Sequence, residues 1–252
     1  GKYFLDPANP AVQAFNLSLL NEALTRYPDL DGVQLDYIRH PRHTSGAAPA
    51  WYGSGTYYDY FGFNPVTFSR FEAETGIAAG DLDPTDPTGA AWDAFSAWKT
   101  ANVTGFVRDT QRLVRGRSPD AKLSVSIFPN LEDGLSKMQD TRTWVNEGLV
   151  DIVMPQLYYT SFSSVAAIGD PFLDQVRGKT VVYPTFYVPH LYNLAAGDLK
   201  PEGEGYLRYA ASRGVEGTAL FILTGGATGV SEAMAEDLRA TVYGNDSRPT
   251  HR

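Results

Sequence analysis

A chain of 252 residues that is 43% apolar and 20% charged has material for one sizeable packed core and does not read as disordered. A net charge of -8 with no long Lys/Arg run argues against a nucleic-acid or anionic-membrane partner, since no basic stripe exists to neutralise phosphates. The absence of cysteine excludes disulfides, thiolate metal sites and cysteine nucleophiles, and no apolar run reaches the roughly eighteen residues of a membrane-spanning helix.

The chain opens at Gly1 without Met and without a signal peptide, so an upstream part is expected. Residues 5–10 are rich in turn formers and lead into a helix in which Val12, Phe15, Leu19 and Ala23 share a face, ending near Tyr27 and Pro28. A buried strand is expected over 31–38, where Val33, Leu35 and Tyr37 alternate with Gln34, Asp36 and Ile38 before Pro41 stops it. Residues 43–65 form a long loop crowded with aromatics, among them Trp51, Tyr52, Tyr57, Tyr58, Tyr60, Phe61 and Phe63, which favours a functional loop over disorder.

Next come a short helix over 65–75 closed by Gly76, a Pro/Asp/Gly connector over 81–89, and a long helix over 91–115 with Trp92, Phe95, Val103, Phe106, Val107 and Val114 inward. Strands are expected over 122–128, 150–159, 180–188 and 217–223, and helices over 141–147, 172–177, 203–213 and 232–243, with a polar tail over 244–252. Helix and strand thus alternate as in a parallel sheet covered by helices. The absence of a glycine-rich phosphate loop disfavours a doubly wound sheet. Polar residues instead gather after several different strands, namely Asp36 and Arg39, Asn130, Gln156 and Tyr158, Tyr187 and His190, and Thr224. That distribution is the shared face of a (β/α)8 TIM-type barrel. A barrel needs eight strands; residues 1–243 hold five, the last five βα units of one barrel domain, and the first three are expected upstream.

Asp36 is the carboxylate at the end of a recognisable core strand, and Arg39, His40 and Arg42 follow it at once. An opposite charge keeps such a group ionised, which suits a nucleophile, a base or a cation stabiliser better than a general acid. The same spacing also fits a structural Asp36–Arg39 ion pair. Gln156 and Tyr158 alternate on one face of their strand, placing an amide and a phenol together as hydrogen-bonding groups, or Tyr158 as a core aromatic with a wet tip. Asn130 reads as a turn residue or a rim hydrogen-bonder, and Tyr187 as a core aromatic or a binder. Trp51 and Tyr57, with their loop neighbours, offer flat apolar faces for a ligand in a cleft or else a small core under the loop. Trp92, Trp98 and Trp144 read as core. The four histidines show no metal-ligand spacing and no G-x-S-x-G elbow occurs, so neither a metal nor another cofactor is expected.

Several segments together carry a resemblance: Tyr3-Phe-Leu-Asp-Pro7, Asp31-Gly-Val-Gln-Leu-Asp-Tyr-Ile-Arg-His-Pro41, Trp98-Lys-Thr-Ala-Asn-Val103, Gln139-Asp140 with Trp144, Gly148 and Asp151, and Met154-Pro-Gln-Leu-Tyr-Tyr159. In order and spacing, over about residues 3–160, they resemble the glycosyl-hydrolase-like 10 family. The resemblance implies a (β/α)8 barrel that hydrolyses amino-sugar polysaccharides of the bacterial envelope or exopolysaccharides, with the first strands upstream of Leu5-Asp-Pro7 and a secreted or envelope location. His40 stands where the family has Tyr, and Lys99 where Arg is common. A more distant likeness is to chitinase-type hydrolases, whose strand D-G-x-D-x-D-x-E is matched by Asp31, Gly32 and Asp36, while Gln34 and Ile38 replace an Asp and the catalytic Glu.

Glycoside hydrolysis ordinarily needs two carboxyl groups. Beside Asp36, the resemblance points to Asp140 as the second, although an Asp before Thr141 is also a good helix N-cap. Glu132 and Asp133 share that loop. The acid is otherwise expected upstream, or replaced by the substrate's own N-acetyl group. Arg39, Asn130, Gln156, Tyr158, Tyr187, Trp51 and Tyr57 are the expected substrate contacts. The rival reading is a non-catalytic carbohydrate-binding barrel.

Overall fold

In a computed structural model, residues 5–40, 62–82, 88–193 and 198–222 of the chain are described, and helices alternate with parallel strands along them. The chain groups into two compact units, Gly1–Val125 with Leu131–Val150, and Ser126–Asn130 with Asp151–Arg252.

The first unit begins with helix α1 (Pro10–Arg26), which starts where Asn9 Oδ1 accepts the Ala11 N–H and Pro10 needs no donor partner. Strand β1 (Gly32–Leu35) follows, then α2 (Pro65–Thr75) between an Asn64 cap and a left-handed Gly76, and the long α3 (Ala90–Arg117). Strand β2 (Lys122–Ile127) lies parallel to β1, with Gly32 opposite Lys122 and Leu35 opposite Val125. Short helices α4 (Leu131–Leu135) and α5 (Thr141–Asn146) complete the unit; α4 carries no periodic signal long enough to read in advance.

Phe63, Phe71, Trp92, Phe95 and Trp98 form one buried cluster, with Phe71 and Phe95 edge to face at 5.1 Å. At Phe63, therefore, the small-core reading of the aromatic loop holds. The motif residues beside this cluster act as ties. Asp6 accepts hydrogen bonds from the Ala8 N–H (2.9 Å), Asn64 Nδ2 (2.5 Å) and the Thr67 hydroxyl, joining the Leu5-Asp-Pro7 segment to the start of α2. Trp98 Nε1 donates to Glu74 at 2.7 Å, and Arg70 reaches Glu74, Asn102 and the Ala8 carbonyl. Burial alone would raise the Glu74 carboxyl, but the bonds from Trp98 and Arg70 outweigh it and hold the group below its ordinary value.

Gly32 is required by close approach: a Cβ there would lie 2.4 Å from the Lys122 carbonyl oxygen. Gly32→Ala is expected to push β1 off β2 and lower stability by about 1–3 kcal/mol, read from urea unfolding.

In the second unit, Ser126 and Ile127 end β2, and the Gln156 N–H donates to the Ile127 carbonyl at 2.9 Å. Strand β3 (Ile152–Pro155) is followed by α6 (Phe162–Val176), β4 (Val181–Val182), β5 (Thr185–Tyr187), α7 (Val188–Leu191), β6 (Tyr192–Asn193), β7 (Asp198–Leu199), α8 (Gly203–Arg213) and β8 (Ala219–Phe221). β3 pairs parallel with β4, Gln156 bridges to Thr185, and β5 pairs parallel with β8. The strand expected over 180–188 is broken at Pro184, which has no N–H to give a ladder. The helix expected over 172–177 begins at Phe162, because Ser161 caps it and Pro171 is accommodated inside. The antiparallel β6–β7 pair has no counterpart in the sequence pattern.

Helix α6 is pinned to α8 by Asp170, which accepts from Arg213 Nε (2.8 Å) and Nη2 (3.0 Å) and from the Tyr209 hydroxyl (2.8 Å). The Arg213 hydrogen bonds, helped by Tyr209, hold the Asp170 carboxyl below its ordinary value of 3.8, against burial. A carboxyl depressed in the folded state stabilises above the unfolded value and loses that contribution as pH falls through the folded one. Asp170→Asn is thus expected to cost on the order of 1 kcal/mol at pH 7, the side chain being partly solvated, and to flatten the acid limb of a melting-temperature profile below pH 4. The expected helix over 232–243, the tail, Thr224 and the aromatic loop over 43–61 lie outside the described residues.

Candidate active site

β1 ends sooner than its alternation predicts. Asp36 Oδ1 accepts the N–H of Tyr37 at 2.8 Å, a local bond that replaces the sheet ladder, and Tyr37 takes a left-handed φ of 53°. Tyr37 therefore leaves the apolar face on which it was expected and is 61% exposed. Asp36 is exposed immediately beyond the strand's carboxyl end. It has no ion-pair partner among the described residues, so the alternative of an Asp36–Arg39 pair is not realised. Arg39 instead lies 4.6 Å over the Tyr37 ring and donates from Nη1 to the His40 carbonyl at 3.0 Å.

Asp36 lines a cleft of about 510 Å³ with Gln13, Asn16, Gln34 and Arg39 as polar neighbours and side chains of α1, β1 and α3 as apolar walls. It is the cleft's one carboxylate among the described residues. Asp140 lines a different cavity, of about 720 Å³, formed by α3, α4 and α5. Its carboxylate caps α5, accepting the Thr143 N–H at 3.1 Å and the Thr143 hydroxyl at 2.6 Å. Glu132 pairs with Arg142 at 2.6 Å, and Asp133 neutralises the buried Lys137 ammonium at 2.5 Å. The two carboxylates singled out in the sequence are thus not brought into one cavity.

In the second unit Asn130 is exposed after β2. Gln156 Nε2 donates to Ser126 Oγ at 2.8 Å, and the half-buried rings of Tyr158 and Tyr187 lie 6.0 Å apart. Phe221 joins them, 5.6 Å from Tyr158 and 6.2 Å from Tyr187. His190 meets Tyr187 edge-on at 5.1 Å, and burial pushes its imidazole below the ordinary histidine value against a bond to the Tyr159 backbone. Ser126 and Phe221 were missed in the sequence; their only signal is the period of two that puts Ser126 and Phe221 on strand faces near expected binders. Trp51 and Tyr57 lie outside the described residues. Among the described residues no group of His, Asp and Glu is placed to hold a metal, and no helix is long and apolar enough to cross a membrane.

An α/β chain of parallel strands and helices, with an ionisable carboxylate just beyond a strand, fits a glycosidase-like class. Residues 1–185 match the model of the family described as Glycosyl hydrolase-like 10, and the chain belongs to that family. It is 26% identical over 184 residues to glycosyl hydrolase DigH of Escherichia coli O6:H1 (strain CFT073), covering 67% of this chain and 34% of that protein. DigH of Escherichia coli (strain K12) matches to the same extent. Glycosyl hydrolase YngK of Bacillus subtilis (strain 168) is 26% identical over 111 residues, 35% of this chain and 22% of YngK. The matched chain spans about a third or less of these relatives' length.

Proposed function

We propose that the protein is a glycoside hydrolase acting on an amino-sugar-containing polysaccharide, a peptidoglycan glycan or an exopolysaccharide, and that Asp36 is its key carboxylate. In this reading the chain forms the later βα units of a (β/α)8 barrel and works outside the cytoplasm, secreted or at the cell envelope, where such polymers occur. The observation that carries it is Asp36 itself: a solvent-open carboxylate just past a parallel strand, with no ion-pair partner among the described residues, within the segment matched to a glycosyl-hydrolase-like family. An anion so placed serves as nucleophile, base or stabiliser of an oxocarbenium-like transition state. Arg39 in the same cleft, and in the second unit Gln156, Tyr158, Tyr187 and Asn130, supply the polar and aromatic groups that bind sugars. Asp140, the candidate for the second carboxyl, lines a different cavity and caps α5, so in this reading the substrate's own N-acetyl group serves in its place.

One observation favours a second reading, a non-catalytic carbohydrate-binding protein: the cleft at Asp36 holds no other carboxylate among the described residues. Incubation with peptidoglycan and amino-sugar polymers, followed by mass spectrometry of reducing ends, separates the two. New reducing ends that vanish with Asp36→Asn support the hydrolase. Retention of glycan without cleavage supports the binder.

A further inference from the structure

The parallel register of the second unit brings three aromatic rings into one cluster, their centroids 5.6, 6.0 and 6.2 Å apart. Tyr187 is the direct partner of Phe221 across β5 and β8. Gln156 bridges Thr185, and two residues further along each chain stand Tyr158 and Tyr187, which side-chain alternation returns to a common face. The rings bear this out: Tyr158 and Phe221 are nearly parallel at 19°, and Phe221 is 40% exposed although it is a large apolar side chain at a strand's end. His190 packs edge-on against Tyr187. Ser126, on β2, accepts one N–H of the Gln156 amide at 2.8 Å, which turns its carbonyl oxygen away; that oxygen and the Tyr187 phenol form no hydrogen bond among the described residues.

A cluster of three rings in which Phe221 is exposed and Tyr158 and Tyr187 are half-buried, beside an amide oriented by Ser126 and a phenol with no hydrogen bond among the described residues, matches a pyranose ring: apolar C–H faces above and below, hydroxyls around the rim. We infer that Phe221, Tyr158 and Tyr187 form a stacking platform for one sugar ring of a glycan, with Gln156 reading a hydroxyl at its edge and Ser126 acting as a positioning residue for Gln156. The inference takes its ligand class from the glycan reading above, but it concerns binding and needs no chemistry at Asp36.

The probe is the tetramer of β-1,4-linked N-acetylglucosamine, followed with the whole chain by calorimetry and by NMR of the sugar protons. Stacking on a ring face moves sugar C–H protons upfield, a signature that a merely structural role for Phe221 does not produce. Phe221→Ala is expected to weaken binding about tenfold and remove the upfield shift. Phe221→Leu, which keeps apolar bulk without a flat face, should behave like Phe221→Ala, and Phe221→Trp should retain both readouts. Ser126→Ala should weaken binding about threefold while the shift persists, since the platform remains. Unchanged binding and shift in Phe221→Ala, loss of both in Phe221→Trp with an unchanged melting temperature, or no binding by the unaltered chain overturns the platform. Reducing ends released with a KM indifferent to Phe221 leave the hydrolase reading standing and remove the platform. Phe221-dependent binding without any cleavage does the reverse.

Discussion

Asp36→Asn is expected to lower turnover of an amino-sugar glycan by on the order of a hundred-fold or more, because it removes the charge that opposes a developing oxocarbenium ion. Folding should not change. The side chain is solvent-exposed, and its one bond among the described residues, from the Tyr37 N–H to Oδ1 at 2.8 Å, is one that an asparagine carbonyl oxygen also accepts. Melting temperature and specific activity measured together decide the matter: a variant that melts early yet keeps full activity per folded molecule takes Asp36 out of the mechanism. Asp140→Asn belongs beside it, since asparagine caps a helix as well as aspartate does. With the cap preserved at Thr143, any fall in turnover reports on the acid itself. Full activity in Asp140→Asn, with about 1 kcal/mol lost in Asp140→Ala, would leave Asp140 a cap alone.

The largest loss of stability is expected at Trp144. Its indole is wholly buried and its Nε1 donates to Thr104 Oγ1 at 2.9 Å, tying α5 to α3. Trp144→Ala removes a large buried side chain and strands a buried hydroxyl, at a cost of about 3–5 kcal/mol in urea unfolding. Trp144→Phe keeps most of the volume but loses the donor to Thr104, for about 1–2 kcal/mol. If the phenylalanine variant loses as much as the alanine one, the hydrogen bond outweighs the packing.

Function and fold meet in the motif segments. Those that carried the family resemblance divide by role: Asp6, Trp98 and Asn102 hold helices and the N-terminal segment together, while Asp36 stands at a strand end with no ion-pair partner among the described residues. Resemblance alone does not make that division, because a motif marks a residue as kept in place without stating what it touches.

Local chemistry made some elements readable. Helix α2 runs from Pro65 to a left-handed Gly76, and α8 closes at Gly214, as the sequence predicts, because caps and stops act between residues three or four apart. The sequence by itself likewise determined the α/β alternation, the buried tryptophans and a carboxylate at the end of β1. Where β1 stops was decided by the Asp36–Tyr37 turn, and the split of the 180–188 strand by pairing of β4 with β3 and β5 with β8 around Pro184. The placement of Asp140 in a different cavity from Asp36, and the clustering of Tyr158, Tyr187 and Phe221, follow from register and helix packing. Such features join residues tens of positions apart, and a strand's alternation states only which face a residue takes, never which neighbour it meets there.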